Sequence, residues 1–152
     1  MMKIIIRPME QGDIDDIVKV ENNSFSTPWS REAFTKELSN PMALYLCVVY
    51  EEHVIGYAGL WKIYDEGHIT NVAILSTFRG HGISKLLMKD MIEMSIENNI
   101  NRLTLEVRES NLVALNLYTK LGFENCGKRP KYYSNPTEDA IIMWKELGNE
   151  AS

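Results

Sequence analysis

Two side chains able to exchange protons, Glu106 and Tyr118, lie close together along the chain. Glu106 lies near the carboxyl end of the alternating segment 102–108, which predicts a strand beside a ligand crevice. The alternative is that Glu106 and Arg108 merely face solvent. Tyr118 lies on a predicted helix, about 10 Å along its axis from Asn111. It is a candidate catalyst, or simply a core ring, and Asn111 could be only an N-cap, for which Ser110 competes.

A glycine-bearing turn precedes that strand. Arg79-Gly80-His81-Gly82-Ile83-Ser84 follows the apolar strand 71–75 and leads through Lys85 into an amphipathic helix. Backbone N–H groups at such a helix start have no partner inside the helix, and the helix dipole adds positive potential. A missing Cβ lets a bulky anion approach the backbone. The turn therefore predicts a phosphate site, although a plain turn and helix start has the same appearance.

Hydrophobic periodicity predicts the elements that position these residues. Strands are expected at 3–7, 43–50, 54–63, 68–73, 102–108, 123–128 and 139–146, and helices at 13–22, 31–38, 82–98 and 111–121. The long helix is expected to bury Ile83, Leu86, Leu87, Met91 and Met94. A loop with Pro130 and Pro136 separates the last two strands. This order predicts an α/β (α+β hybrid) fold with a mixed sheet and helices packed on it.

Length and composition limit the class of protein. A chain of 152 residues fits one domain, 1–152. A net charge of −5 argues against general nucleic-acid binding and is compatible with a cationic substrate. We expect no signal peptide, no membrane span and no metal site, and a cytoplasmic location. Cys47 and Cys126 are expected to be two buried, reduced thiols.

Two aromatic loops could contact a substrate. One contains Phe25 and Trp29 within 25–30, and the other contains the adjacent pair Tyr132 and Tyr133. Either loop could instead only cover the core or the sheet.

Over nearly its full length the chain resembles the GNAT superfamily of acetyl-CoA-dependent N-acetyltransferases. More closely, it resembles the RimI branch, the ribosomal-protein-alanine N-acetyltransferases. The glycine turn is similar to the superfamily signature Gln/Arg-x-x-Gly-x-Gly/Ala, from which Ser84 departs. Four further segments are similar to motifs of that branch. Residues 105–111 are similar to LEVRxSN, residues 115–123 to ALYxxLGF, residues 25–30 to FxxPWS, and the Tyr132-Tyr133 pair followed by residues 138–140 to YY…EDA. Asn116 departs from the common small or apolar residue.

The resemblance implies a GNAT-like sheet of about seven strands with helices on both faces, and it implies site residues. Acetyl-CoA is expected at Val72, Ala73, Ile74, Arg79, Gly80, His81, Gly82, Ile83, Ser84, Lys85 and Asn111. Glu106 is expected to be the general base and Tyr118 the general acid in a direct transfer. Backbone N–H groups near Ile74 could polarise the thioester carbonyl.

The same resemblance implies a protein acceptor, the N-terminal alanine of ribosomal protein number eighteen of the small subunit, which is followed by basic residues. Phe25, Trp29, Tyr132 and Tyr133 are expected to hold that peptide. An acidic rim could be supplied by six carboxylates, each of which could equally be part of a solvated acidic face: Asp13, Asp15, Asp16, Glu66, Glu138 and Asp139. Two alternatives stay open: a small-molecule amine as acceptor, or a non-catalytic acetyl-CoA-binding regulatory module.

Overall fold

A computed structural model describes residues 3–148 as a seven-stranded sheet with four α-helices. Residues 1–2 and 149–152 lie outside the described residues. They belong to the predicted domain 1–152, and residues 1–2 belong to the start of the chain for which no signal peptide is expected. The strands are β1 (Ile5–Pro8), β2 (Ala43–Tyr50), β3 (His53–Ile63), β4 (Glu66–Ile74), β5 (Arg102–Arg108), β6 (Glu124–Tyr133) and β7 (Glu138–Glu146). The helices are α1 (Ile14–Ser24), α2 (Arg31–Leu38), α3 (Ile83–Glu97) and α4 (Leu112–Lys120).

The strand order is β1-β2-β3-β4-β5-β7-β6. All neighbouring strands run antiparallel except β4 and β5, which are parallel. Their pairing covers only Glu66–His68 of β4 with Arg102–Thr104 of β5. Beyond these residues the two strands separate, and a wedge opens between their carboxyl ends.

Helices cover both faces of the sheet, because each face has its own apolar cluster. On one face, α1 and α2 bury Ile17, Val20 and Phe34 against Tyr57 of β3. On the other face, α3 and α4 pack on a larger cluster that includes Leu87, Met91 and Tyr118 from the helices, with further residues from β2 to β5. The predicted fold class, the element order and the helices on both faces are confirmed.

The predicted end of β6 was wrong. The loop expected after Lys128 is instead a continuation of the strand, which runs through Pro130 to Tyr133. Proline removes a ladder donor, but β6 is the outermost strand, and an edge strand tolerates that loss. Irregular register between Asn125 and Lys128 and between Arg129 and Tyr133 adapts the strand further.

Two burial predictions were also wrong. Cys47 is buried, but Cys126 is exposed because β6 lies at the sheet edge with little packed on it. Leu86 is 48% exposed, and Met88 is buried in its place, because the inward face of α3 is centred between Leu87 and Met91. No helix within residues 3–148 is long and apolar enough to cross a lipid bilayer.

Candidate active site

The separation of β4 and β5 forms a cleft of about 500 Å³. Residues 69–72 of β4 form one wall and residues 105–108 of β5 the other, with α4 and two loops completing the enclosure. The structure brings seven of the predicted site residues to this cleft: Phe25, Trp29, Val72, Glu106, Asn111, Tyr118 and Tyr133. A single cavity thus joins segments that are far apart along the chain.

Glu106 is held on the β5 wall by strand alternation. Leu105 and Val107 point into the core on the α3 side, so Glu106 points to the opposite face. Its side chain is 9% exposed, and Oε2 lies 3.8 Å from Nε of Arg129. A hydrogen bond from His68 holds the pKa of the Glu106 carboxyl below its ordinary value, against the opposing effect of burial. Glu106 is therefore an ionised carboxylate at neutral pH.

His68 is the site residue that sequence reasoning missed. Its Nε2 donates a hydrogen bond to Oε1 of Glu106 at 2.8 Å, since an ionised carboxylate can only accept. The two residues meet because His68 pairs with Thr104 at the last parallel register position, two residues before Glu106 on β5. The only signal in the sequence was the position of His68 at the start of the predicted strand 68–73, which does not by itself indicate a contact with Glu106.

Tyr118 projects from α4 into the cleft while most of its ring is in the core. The residue is 7% exposed, and its ring meets Phe123 edge-on at 5.6 Å between centroids. Burial, with a smaller effect of nearby Tyr133, raises the pKa of the Tyr118 phenol above its ordinary value. The phenol therefore stays protonated over the whole physiological range and can donate a hydrogen bond.

Asn111 combines the two roles considered for it. Its Oδ1 accepts a hydrogen bond from the Ala114 backbone N–H at 3.1 Å, so it is the N-cap of α4. It also lines the cleft. Because the cap uses its oxygen, the amide nitrogen is the group left for a ligand.

The glycine turn lies outside the cleft walls, beyond the carboxyl end of β4. Gly80 and Gly82 have φ values of 84° and 76°, which glycine adopts without strain. Gly82 is the N-cap of α3, and no side chain caps the helix there. The guanidinium of Arg79 is engaged by the protein: Nε donates to the Ile74 carbonyl at 2.9 Å and Nη2 to Oγ of Ser24 at 3.3 Å.

The other residues predicted for acetyl-CoA differ in what they can offer a ligand. Ala73, Ile74 and Ile83 bury their side chains in the core, so only their backbone groups could contact a ligand. His81 on the turn and Lys85 in the first turn of α3 have exposed side chains, and Ser84 is half-buried. None of these residues lines the cleft itself.

The loop with Phe25 and Trp29 is fixed by a buried carboxylate on α1. Glu21 is 1% exposed and accepts a hydrogen bond from the Trp29 backbone N–H at 2.8 Å and another from the Tyr57 hydroxyl. Burial raises the pKa of Glu21, and these two bonds oppose the rise. This contact sets the aromatic loop against the cleft.

The loop between β6 and β7 meets the first loop over the cleft. Oγ of Ser26 donates to the carbonyl of Asn135 at 2.9 Å. Arg108 holds the second loop from below, donating to the carbonyls of Ser134 and Pro136, each at 2.9 Å. The two loops therefore form a bridge across the wedge.

The tyrosine pair is split between two environments. Tyr133 lines the cleft with the Arg108 guanidinium 4.5 Å from its ring centre, and burial raises its pKa to about 12. Tyr132 is 45% exposed and does not line the cleft. Its ring meets Tyr133 edge-on at 5.0 Å and lies 5.5 Å from the Arg129 guanidinium.

None of the six carboxylates considered for an acidic rim lines the cleft itself. Each has a partner within the protein. Four of them form ion pairs with arginine: Asp13 with Arg7 at 2.8 Å, Glu138 with Arg108 at 3.2 Å, Asp15 with Arg31, and Glu66 with Arg102. The other two accept hydrogen bonds from backbone N–H groups: Asp16 from Val54, and Asp139 from Lys131. Within residues 3–148, no group of three or more His, Cys, Asp or Glu side chains could hold a metal ion.

Comparison with known proteins gives a consistent family. Residues 14–123 match the acetyltransferase (GNAT) family model. A Bacillus subtilis protein provisionally named a ribosomal protein bS18-alanine N-acetyltransferase is 41% identical over 93% of this chain and 95% of its own length. The ribosomal protein bS18-alanine N-acetyltransferase of Haemophilus influenzae is 34% identical over 91% of this chain and 96% of its own.

Solved structures agree. The crystal structure of the ribosomal-protein-S18-alanine N-acetyltransferase from Escherichia coli superposes with a TM-score of 0.89, at 26% identity over 99% of both chains. A chain of the NatC complex bound to Gag peptide and CoA superposes with a TM-score of 0.84, at 25% identity over 97% of this chain and 100% of that one. This chain therefore belongs to the GNAT acetyltransferase family, in the branch of the ribosomal-protein-alanine N-acetyltransferases.

Proposed function

We propose that this protein transfers the acetyl group of acetyl-CoA to the N-terminal α-amino group of a protein in the cytoplasm, the N-terminal alanine of ribosomal protein bS18. The observation that carries the proposal is that Glu106, which is hydrogen-bonded to His68, lines the same cleft as Tyr118. Relatives named for this reaction match almost the whole chain.

The residues at the start of α3 fit the phosphates of CoA. The uncapped Gly82 and a first turn without acidic residues leave backbone N–H groups and the positive end of the helix dipole for an anion. Arg79, held by Ile74 and Ser24, fixes the turn. The exposed side chains of His81 and Lys85 lie beside this turn. Gly80, Ile83 and Ser84 offer backbone groups to the phosphates. When bound, acetyl-CoA supplies an acetyl thioester.

The wedge between the strands fits the rest of the cofactor. Val72 lines the cleft, and Ala73 and Ile74 can offer backbone groups to the pantetheine arm and the thioester carbonyl. The amide nitrogen of Asn111, whose oxygen caps α4, completes this side.

Glu106 and His68 supply the proton route away from the acceptor amine. An α-amino group has a pKa of about 7.7–8.0, so about a tenth of such groups are already neutral at pH 7. One carboxylate is then a sufficient base. Glu106 Oε1 is occupied by His68 and Oε2 only weakly by Arg129, so Oε2 accepts the proton, directly or through water.

Tyr118 supplies the proton at the other end of the reaction. Its phenol stays protonated because burial raises its pKa, and its hydroxyl faces the cleft rather than a protein acceptor within the described chain. A thiol has an ordinary pKa of about 8.5, so the departing sulfur is a weak base that one donated hydrogen bond stabilises.

The acceptor peptide enters beneath the two bridged loops. Phe25 and Trp29 on one side and Tyr133 on the other provide aromatic surface, with Tyr132 at the outer edge. An extended N-terminus fits such a bridged cleft, because the contact of Ser26 with Asn135 lies across it.

The test is mass spectrometry of the purified protein with acetyl-CoA and three acceptors: a short Ala-first peptide with basic residues after it, the same peptide blocked at its N-terminus and carrying lysine, and a polyamine. We expect acetylation of the free N-terminal alanine far above the other two. Equal labelling of lysine, or a preference for the polyamine, would contradict the peptide acceptor. Binding of acetyl-CoA without turnover on any amine would instead support the regulatory module.

A further inference from the structure

A buried carboxamide on the β4 wall has no role in the mechanism described so far. Asn71 is 8% exposed and lines the cleft. Its Oδ1 is buried and has no hydrogen-bond partner among residues 3–148, where almost every buried polar atom is paired. A buried acceptor left unpaired destabilises the fold, so such an atom points to a ligand that donates to it.

The neighbours of Asn71 determine which kind of ligand fits. The Tyr57 hydroxyl gives its proton to Glu21, so its oxygen is left to accept. The Asn71 carboxamide lies close enough to favour ionisation of the Tyr57 phenol, against the larger opposing effects of burial and Glu21. Since that oxygen accepts, the amide nitrogen is the part of the Asn71 carboxamide that suits Tyr57, and Oδ1 is left for another group. Only a donor can pair with that oxygen.

The position of Asn71 places this oxygen on the acceptor side. Asn71 is paired with Gly59 and Ala73 with Tyr57, so Asn71 and Tyr57 share the face covered by α1. Glu106 points to this same face from β5. Asn71 also lies three residues before Ile74, near which the thioester carbonyl is expected. It thus lines the same cleft as the proton acceptor, on the strand that leads to the thioester.

We propose that Oδ1 of Asn71 accepts a hydrogen bond from the α-amino group of the acceptor and orients its lone pair toward the thioester. The inference rests on the proposed function. Rotation about χ2, a soft torsion, turns Oδ1 further toward the cleft that Asn71 lines.

A carboxamide suits this role better than a second carboxylate. An ammonium group has three N–H donors, and the neutral amine that attacks keeps two of them. One proton passes from nitrogen to Glu106, while the hydrogen bond to Asn71 persists through the step. A carboxylate would favour the protonated form of the amine, because opposite charges attract. A neutral acceptor holds the amine without this effect. The other ionisable groups that line the cleft are Glu21, Glu106, Arg108, Tyr118 and Tyr133.

Two substitutions of Asn71 separate binding from structure. Asn71→Leu removes the polar group at similar volume, so we expect an unchanged or higher Tm together with a rise of about tenfold or more in the peptide KM. The KM for acetyl-CoA should stay the same. Asn71→Asp keeps the shape but adds a charge that stabilises the ammonium form, so the rising limb of the pH profile of kcat/KM should move about one unit toward alkaline pH.

The matched control is Asn116→Asp, at an exposed asparagine that does not line the cleft, and it should change neither the peptide KM nor the pH profile. If the wild-type protein acetylates the peptide while both Asn71 variants keep its KM and pH profile, the inference is overturned and the proposed function stands. A fall in Tm for Asn71→Leu with unchanged peptide KM would likewise assign Asn71 a structural role. A wild-type protein that acetylates no N-terminus would refute the proposed function itself.

Discussion

Replacing Glu106 by glutamine tests the central role in the mechanism. The new carboxamide can still accept a hydrogen bond from His68 through its oxygen, so the fold of β5 and the cleft should be preserved. What is lost is the ability to take a proton. General-base catalysis contributes about 10²- to 10⁴-fold, and the lower end applies here because about a tenth of α-amines are already neutral at pH 7. We expect kcat/KM for the peptide to fall about a hundredfold at pH 7.

The loss should depend on pH. Near pH 9 almost all of the amine is neutral, so the variant should recover to within about tenfold of the wild type. Because the pKa of Glu106 is lowered, this carboxylate stays ionised over the whole range and can take a proton from the ammonium form, so the wild-type rate should rise less steeply with pH than the rate of the variant. Initial rates over this range, with Glu109→Gln at an exposed carboxylate as control, measure both effects. Activity within about twofold of wild type at pH 7 would refute the assignment, and a loss independent of pH would refute the base role in favour of electrostatic binding.

Three further substitutions address the leaving group, the cofactor and the fold. Tyr118→Phe keeps the packing of the ring on Phe123, so the Tm should not change while kcat falls about a hundredfold. An unchanged kcat in a folded variant would show that Tyr118 is not the proton donor. Gly82→Ala places a side chain on a residue with positive φ, so we expect the free energy of unfolding, measured by thermal unfolding, to fall by about 1 kcal/mol. The KM for acetyl-CoA should rise while the KM for the peptide stays the same. Equal changes in both KM values would count against the turn as the phosphate site. Asp13→Asn should cost about 2 kcal/mol at pH 7, because Arg7 lowers the pKa of Asp13. That contribution to stability is present above the ordinary carboxyl pKa of about 3.9 and is lost as the pH falls through the lower pKa of the folded state. Urea unfolding curves of the variant and the wild type should therefore converge at low pH. A difference in stability that stays constant with pH would show that the ion pair is not its cause.

The sequence predicted the elements well wherever local chemistry defines their ends. Helix α2 and strands β2 and β5 have the expected bounds, since Ser30 caps the helix and turns bound the strands. Edge position is a tertiary property, and so the extension of β6 through Pro130 and the exposure of Cys126 could not be read from local pattern. The same limit applies to His68, whose contact with Glu106 spans 38 residues and depends on the parallel register of two strands.

The short parallel pairing of β4 and β5 explains why residues so far apart act at one place. If the pairing continued toward the carboxyl ends, the ladder would close the space between residues 69–72 and 105–108, and no cleft would exist. Because it stops after His68, the two strands present Asn71 and Glu106 across a gap instead of against each other. Antiparallel pairing of β5 with β7 over the full length of β5 keeps the second wall straight where β4 departs from it. The end of the parallel ladder therefore both creates the cleft and sets His68 at its base, so a substitution that extends this pairing should abolish activity without unfolding the sheet.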